Sequence, residues 1–71
     1  MPTQVEAQVT GSVWKVEKNV GDILAPEDVI LILESMKMEI PVEAPCSGRL
    51  VELRVREGQK VEEGAVLAVI E

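Results

Sequence analysis

The run ILILESMKMEI, from Ile30 to Ile40, sets one lysine between two methionines near the middle of the 71-residue chain. Few other residues could do chemistry. There is no histidine, which removes the usual general base and the commonest metal ligand. The one cysteine, Cys46 in APCSG, has neither a second thiol to bridge nor a histidine to activate it, so it reads as a space-filler. No catalytic residue and no metal ligand set is expected. Lys37 is therefore the residue with a chemical use to explain. An ordinary lysine amine titrates near about 10.4, so unaided it is a poor nucleophile at neutral pH. A lysine is well suited to being an attachment point, with a long stem and a single nitrogen that a separate enzyme can activate.

The elements that must hold this lysine come from a small chain. A chain this short buries only about 60% of its unfolded surface, which implies a single domain over residues 1–71. Hydrophobic residues make up 46% and charged residues 28%, a globular composition. With one tryptophan, no phenylalanine and no tyrosine, the core must be built from Val, Ile and Leu, which favours strands. Thirteen carboxylates against seven cationic side chains give a net charge of -6, which argues against nucleic-acid binding. No run approaches the roughly 20 apolar residues of a membrane helix. MPTQVEAQV has neither the basic region nor the apolar stretch of a signal peptide, so a cytoplasmic location is expected.

The chain is written twice. A shift that carries Gly11 onto Gly48 pairs the two halves without a gap. Met1 falls on Met38, Val5-Glu6-Ala7 on Val42-Glu43-Ala44, Gly21 on Gly58, Val29 on Val66 and Glu34 on Glu71. Conservative pairs fill much of the rest, such as Val13 with Leu50 and Leu33 with Ile70. Equivalent glycines imply turns at equivalent places. Within each half, VEAQV alternates apolar and polar residues, and VILILE and VLAVIE are short apolar runs bounded by turn residues. The expected strands are residues 3–9, 12–17, 22–24 and 29–34, with the matching set in the second half. The predicted fold class is all-β: a flattened barrel or sandwich of two roughly four-stranded antiparallel sheets. Its pseudo-twofold relates residues 1–34 to 38–71, because neither half can bury its apolar face alone.

That symmetry places the lysine. The twofold exchanges the junction between the halves with the chain termini, so Lys37 and the termini are expected at opposite ends. If the strands around it pair as a hairpin, Met36 and Lys37 become the central residues of a tight type I′ turn, both at positive φ. Neither is a natural choice there, and the strain is itself a reason to look for function.

At this point ESMKME resembles the attachment motif of the biotinyl/lipoyl attachment domain family. The resemblance extends over the whole chain, including VEAPCSGRL, NVGD, REGQKVEEG and VLAVIE. It looks closest to small free-standing biotin/lipoyl attachment proteins and to the carrier domains of biotin-dependent carboxylases. It implies a non-catalytic biotin carboxyl carrier in which biotin protein ligase joins biotin to Lys37. A biotin carboxylase and a carboxyltransferase would then use the tethered biotin in turn. Met36 and Met38 would be recognition residues for the ligase, with Glu34 and Glu39 adding charge nearby. The plain alternatives are a methionine packed on the sheet edge and a solvated turn.

Two rival readings remain. A lipoyl or dual biotin/lipoyl carrier has the same fold, but typically presents an Asp-Lys-Ala type of triplet. An unmodified lipoyl-like interaction domain would generally lack the lysine motif. Trp14 pairs with Val51 in the repeat and is expected to pack in the core. Glu27 stands where Gly64 falls in the second half, which leaves that first turn open to a different type. Lys18 pairs with Val55 and Val20 with Glu57, so the halves are not strictly interchangeable there. The chain also has no protruding insertion of the kind some carboxylase carriers possess.

Overall fold

The computed structural model describes residues 2–71. Eight strands follow in order: β1 (Thr3–Glu6), β2 (Gly11–Val16), β3 (Ile23–Leu24), β4 (Val29–Ser35), β5 (Met38–Glu43), β6 (Gly48–Leu53), β7 (Lys60–Val61) and β8 (Val66–Ile70). They form two four-stranded antiparallel sheets, ordered β1-β8-β6-β3 and β5-β4-β2-β7. Exchanging each strand with its counterpart in the other half converts one order into the other. The pseudo-twofold read from the repeat is thus the symmetry of the fold.

The backbone obeys the same symmetry bond by bond. Gly21 N–H donates to Leu50 O at 2.7 Å, as Gly58 N–H does to Val13 O at 2.7 Å. Asn19 N–H donates to the Asp22 carboxylate, and Arg56 N–H to the Gln59 side-chain carbonyl. The core repeats too: Val13 with Leu50, Leu24 with Val61, Ile30 with Leu67, Leu31 with Ala68 and Leu33 with Ile70 are all buried. Apolar surface removed from water contributes about 25 cal/mol per Å². Both sheets contribute buried residues, so each apolar face is covered by the other.

β1 and β5 are shorter than the alternation predicts. Ala7 leaves the ladder because its N–H donates to Ala65 O and its carbonyl accepts from Gly64 N–H. Ala44 does the same with Asp28 O and Glu27 N–H. These bonds clamp each edge strand to the turn before its neighbour in the same sheet, the last strand of the other half. The molecule measures 32 × 17 × 17 Å. Thr3 lies against the β5–β6 loop, with its Oγ1 3.8 Å from Cys46 Sγ, and Glu71 and Arg49 exchange backbone hydrogen bonds. Thr3 and Glu71 therefore lie at the end of β5 away from residues 36 and 37, as the symmetry requires.

Two expectations are corrected. Trp14 is not in the core but 48% exposed, and its counterpart Val51 is 38% exposed. Trp14 follows buried Val13 and so faces outward by alternation; a β-bulge, in which Val13 pairs with Leu33 and Lys15 with Ile32, keeps Lys15 exposed beside it, and Val51 is the equivalent residue in β6. A bulge sends two consecutive side chains toward one face, which a strict alternation cannot foresee. The turn at Glu27 also does not differ from its glycine counterpart. Glu27 has φ 73° where Gly64 has φ 90°, and both N–H groups donate at 2.8 Å to an equivalent carbonyl. Glutamate bears a Cβ penalty in that region that glycine avoids, roughly 1–2 kcal/mol. Glu27→Gly is accordingly expected to raise stability by about 0.5–1 kcal/mol, read as a higher urea midpoint with an unchanged slope.

Candidate functional site

β4 is an inner strand, held by β2 on one side and β5 on the other. Its pairing with β5 runs Leu33↔Ile40, Glu34↔Glu39 and Ser35↔Met38, which leaves Met36 and Lys37 as the whole connection. Their φ angles are 53° and 65°, as a type I′ turn requires. A left-handed non-glycine residue costs roughly 1–2 kcal/mol. The ladder on both sides of β4 fixes the register, so the turn has nowhere else to place the two residues.

Contacts beneath the tip hold the hairpin still. Ser35 Oγ donates to Thr10 O at 2.9 Å, and Thr10 Oγ1 accepts from Glu63 N–H at 3.2 Å. These bonds tie the tip to the β1–β2 and β7–β8 connections. Gly11 lets β2 approach closely: a Cβ there would lie 2.4 Å from Glu34 O. Residue types alone did not single out Ser35, Thr10 or Gly11. The available signal was the pairing of Thr10-Gly11 with Ser47-Gly48 in the repeat, which marks a tight approach.

All five residues singled out in the sequence lie on this hairpin. Lys37 is exposed, Met36 is 91% exposed and Met38 60% exposed. Both methionines are more exposed than buried. Glu34 and Glu39 are direct cross-strand partners and both are exposed. Like charges in opposing positions destabilise a hairpin slightly, so their placement is not explained by stability. The one ion pair among the described residues is Arg54–Glu52, which leaves the Lys37 amine free of a carboxylate partner. Lys15, Lys18 and Lys60 differ in setting: Lys15 and Lys60 lie in strands, and half-buried Lys18 has its N–H bonded to Ile30 O. Only Lys37 projects from a turn. An exposed primary amine at a fixed tip can form an amide with a carboxylate group, and it needs no cavity to do so.

The family model described as biotin-requiring enzyme matches residues 1–70. The chain belongs to the biotin/lipoyl attachment family. Among curated relatives, this biotin/lipoyl attachment chain is 46% identical over 63 residues to the biotin/lipoyl attachment protein of Bacillus subtilis (strain 168), covering 89% of this chain and 86% of the relative. It is 40% identical over 70 residues to the biotinylated protein TB7.3 homolog of Mycobacterium leprae (strain TN), covering 99% of both. Among solved structures, it matches the crystal structure of Kluyveromyces lactis urea carboxylase with a TM-score of 0.95 at 34% identity, over 100% of this chain and 6% of that one. The chain is thus a biotin-attachment domain homologous to the carboxyl carrier domains of carboxylases. Domains of this family are carriers and not catalysts.

Proposed function

We propose that Lys37 is the residue that biotin protein ligase modifies, and that residues 1–71 act as one carrier unit serving a biotin carboxylase and a carboxyltransferase. The observation that supports this best is the position of Lys37 in a two-residue turn, exposed, at the end opposite the termini. The Nζ amine fits the group: once the ligase removes its proton it attacks the carbonyl of an acyl-adenylate, the amide bond forms, the acyl–phosphate bond breaks and AMP leaves. Bound biotin supplies a ureido nitrogen that takes up and releases a carboxyl group.

This chain contributes placement. The β4–β5 ladder holds the lysine stem at one end, so any attachment to another chain through the termini leaves that end clear. Tethering then replaces diffusion with a high local concentration between two active sites. Met36 and Met38 present apolar surface on either side of the amine for the ligase to read. Glu34 and Glu39 place negative charge at the base of the same turn.

A lipoyl or dual reading is favoured by one observation, the name of the 46% identical relative, which includes both groups. The Met-Lys-Met triplet favours biotin. The test is to incubate the purified chain with ATP and biotin plus biotin protein ligase, and in parallel with ATP and lipoate plus lipoate ligase. One biotinyl group per chain by intact mass, with little or no lipoyl transfer, is the expected outcome. Comparable transfer of both establishes the dual carrier, and no transfer to the folded chain overturns the proposal.

A further inference from the structure

The chain has three methionines. The two among the described residues, Met36 and Met38, lie on either side of Lys37 with their side chains open to solvent. An exposed thioether is a good target for peroxide, and oxidation converts a flexible apolar side chain into a polar, chiral sulfoxide. The buried hydrophobic residues are all Val, Leu, Ile and Ala. Oxidation at the tip therefore changes no core contact. With its positive φ and 91% exposure, Met36 has no apolar shelter into which to fold. Cys46, the other sulfur among the described residues, is half-buried, with its Sγ 3.8 Å from Thr3 Oγ1.

We propose that Met36 and Met38 form a reversible oxidation site that switches off modification of Lys37 while leaving the fold intact. The inference rests on the ligase reading given above. In the forward step a sulfur lone pair attacks one oxygen of a hydroperoxide and the O–O bond breaks. An S–O bond forms, and water or an alcohol leaves after proton transfer. The sulfur is oxidised by two electrons and the peroxide reduced. In the reverse step, two thiols give up two electrons to the sulfoxide, and the thioether, a disulfide and water result. Two sulfoxide dipoles beside the amine replace the apolar surface that the ligase would cover. They would be desolvated on docking without a matched partner.

The experiment treats the unmodified chain with dilute hydrogen peroxide, maps oxidation by peptide mass, and measures the initial rate of ligase-catalysed biotin transfer. Met36 and Met38 should oxidise ahead of Cys46. The transfer rate should fall at least about tenfold, with the unfolding midpoint unchanged. Methionine sulfoxide reductases of both epimer specificities, with a dithiol, should restore it. A Met36→Leu/Met38→Leu chain, whatever its own rate, should keep the same rate after peroxide. Unchanged transfer to the doubly oxidised chain overturns the switch. So does a peroxide-induced loss that persists in the leucine variant, or one that accompanies unfolding. No transfer to the untreated chain overturns the proposed function and this inference with it, so the two failures are distinguishable.

Discussion

A Lys37→Arg chain should accept no biotin from biotin protein ligase, although its turn keeps a positive charge. Guanidinium retains the cation and the long stem but is not deprotonated in proteins, so it offers no nucleophilic nitrogen. A sharper variant exchanges the two central residues, Met36→Lys with Lys37→Met. Composition, charge and the number of non-glycine residues at positive φ are unchanged, so stability should barely move. The amine, however, starts from a Cα about 3.8 Å away and leaves the turn in a different direction. A misplacement of even 1 Å can lower a rate by about 100-fold. The exchanged chain is therefore expected to be modified at least about 100-fold more slowly, measured as initial rate of biotin incorporation. Equal rates would mean that the ligase reads a nearby lysine and not the geometry of this turn.

The second large effect is on stability. In Gly11→Ala the new Cβ would lie 2.4 Å from Glu34 O and 3.3 Å from Ser35 Cβ. The nearest of these is a backbone atom of an inner strand and cannot rotate away. β2 must retreat from β4, which breaks the Ser12↔Glu34 pairing and the Ser35–Thr10 bond together. Overpacking of this kind costs typically 1–3 kcal/mol, occasionally more. Against a total stability on the order of 5 kcal/mol for a small domain, about 3 kcal/mol would leave a measurable unfolded fraction. Urea unfolding should show a much lower midpoint. Gly48 is the counterpart, with φ 154° and a Cβ position 2.7 Å from Ile70 Cγ2 and 2.8 Å from Glu71 O. Gly48→Ala should be comparably destabilised, yet its folded fraction should accept biotin at an ordinary rate, because the strain falls at the far end from Lys37.

The repeat made most of the architecture legible. Gly11 with Gly48, Gly21 with Gly58 and the paired apolar runs imply two equivalent halves, and the sheet orders obey that equivalence. The central pair of the turn followed from the register of the flanking strands, and its positive φ angles agree. What escaped were features in which a local residue departs from its usual preference because distant chain decides. Lys15 shares the outward face of Trp14 because a bulge interrupts β2 opposite Ile32. Glu27 adopts a glycine-like φ because its N–H is held by Ala44 O. The mismatch of Val20 with Glu57 was visible in the sequence, but its meaning was not: Glu57 Oε2 accepts the Val16 N–H at 3.0 Å, a bond that Val20 cannot make. The Ser35–Thr10 contact was equally hidden, because it joins residues that no periodicity relates.

The most direct test is a peptide map of the folded chain after reaction with biotin protein ligase, ATP and biotin, scoring Lys15, Lys18, Lys37 and Lys60 separately. The account predicts one biotinyl group per chain, all of it on Lys37. Label on any of the other three lysines, or none on the folded protein, would contradict it.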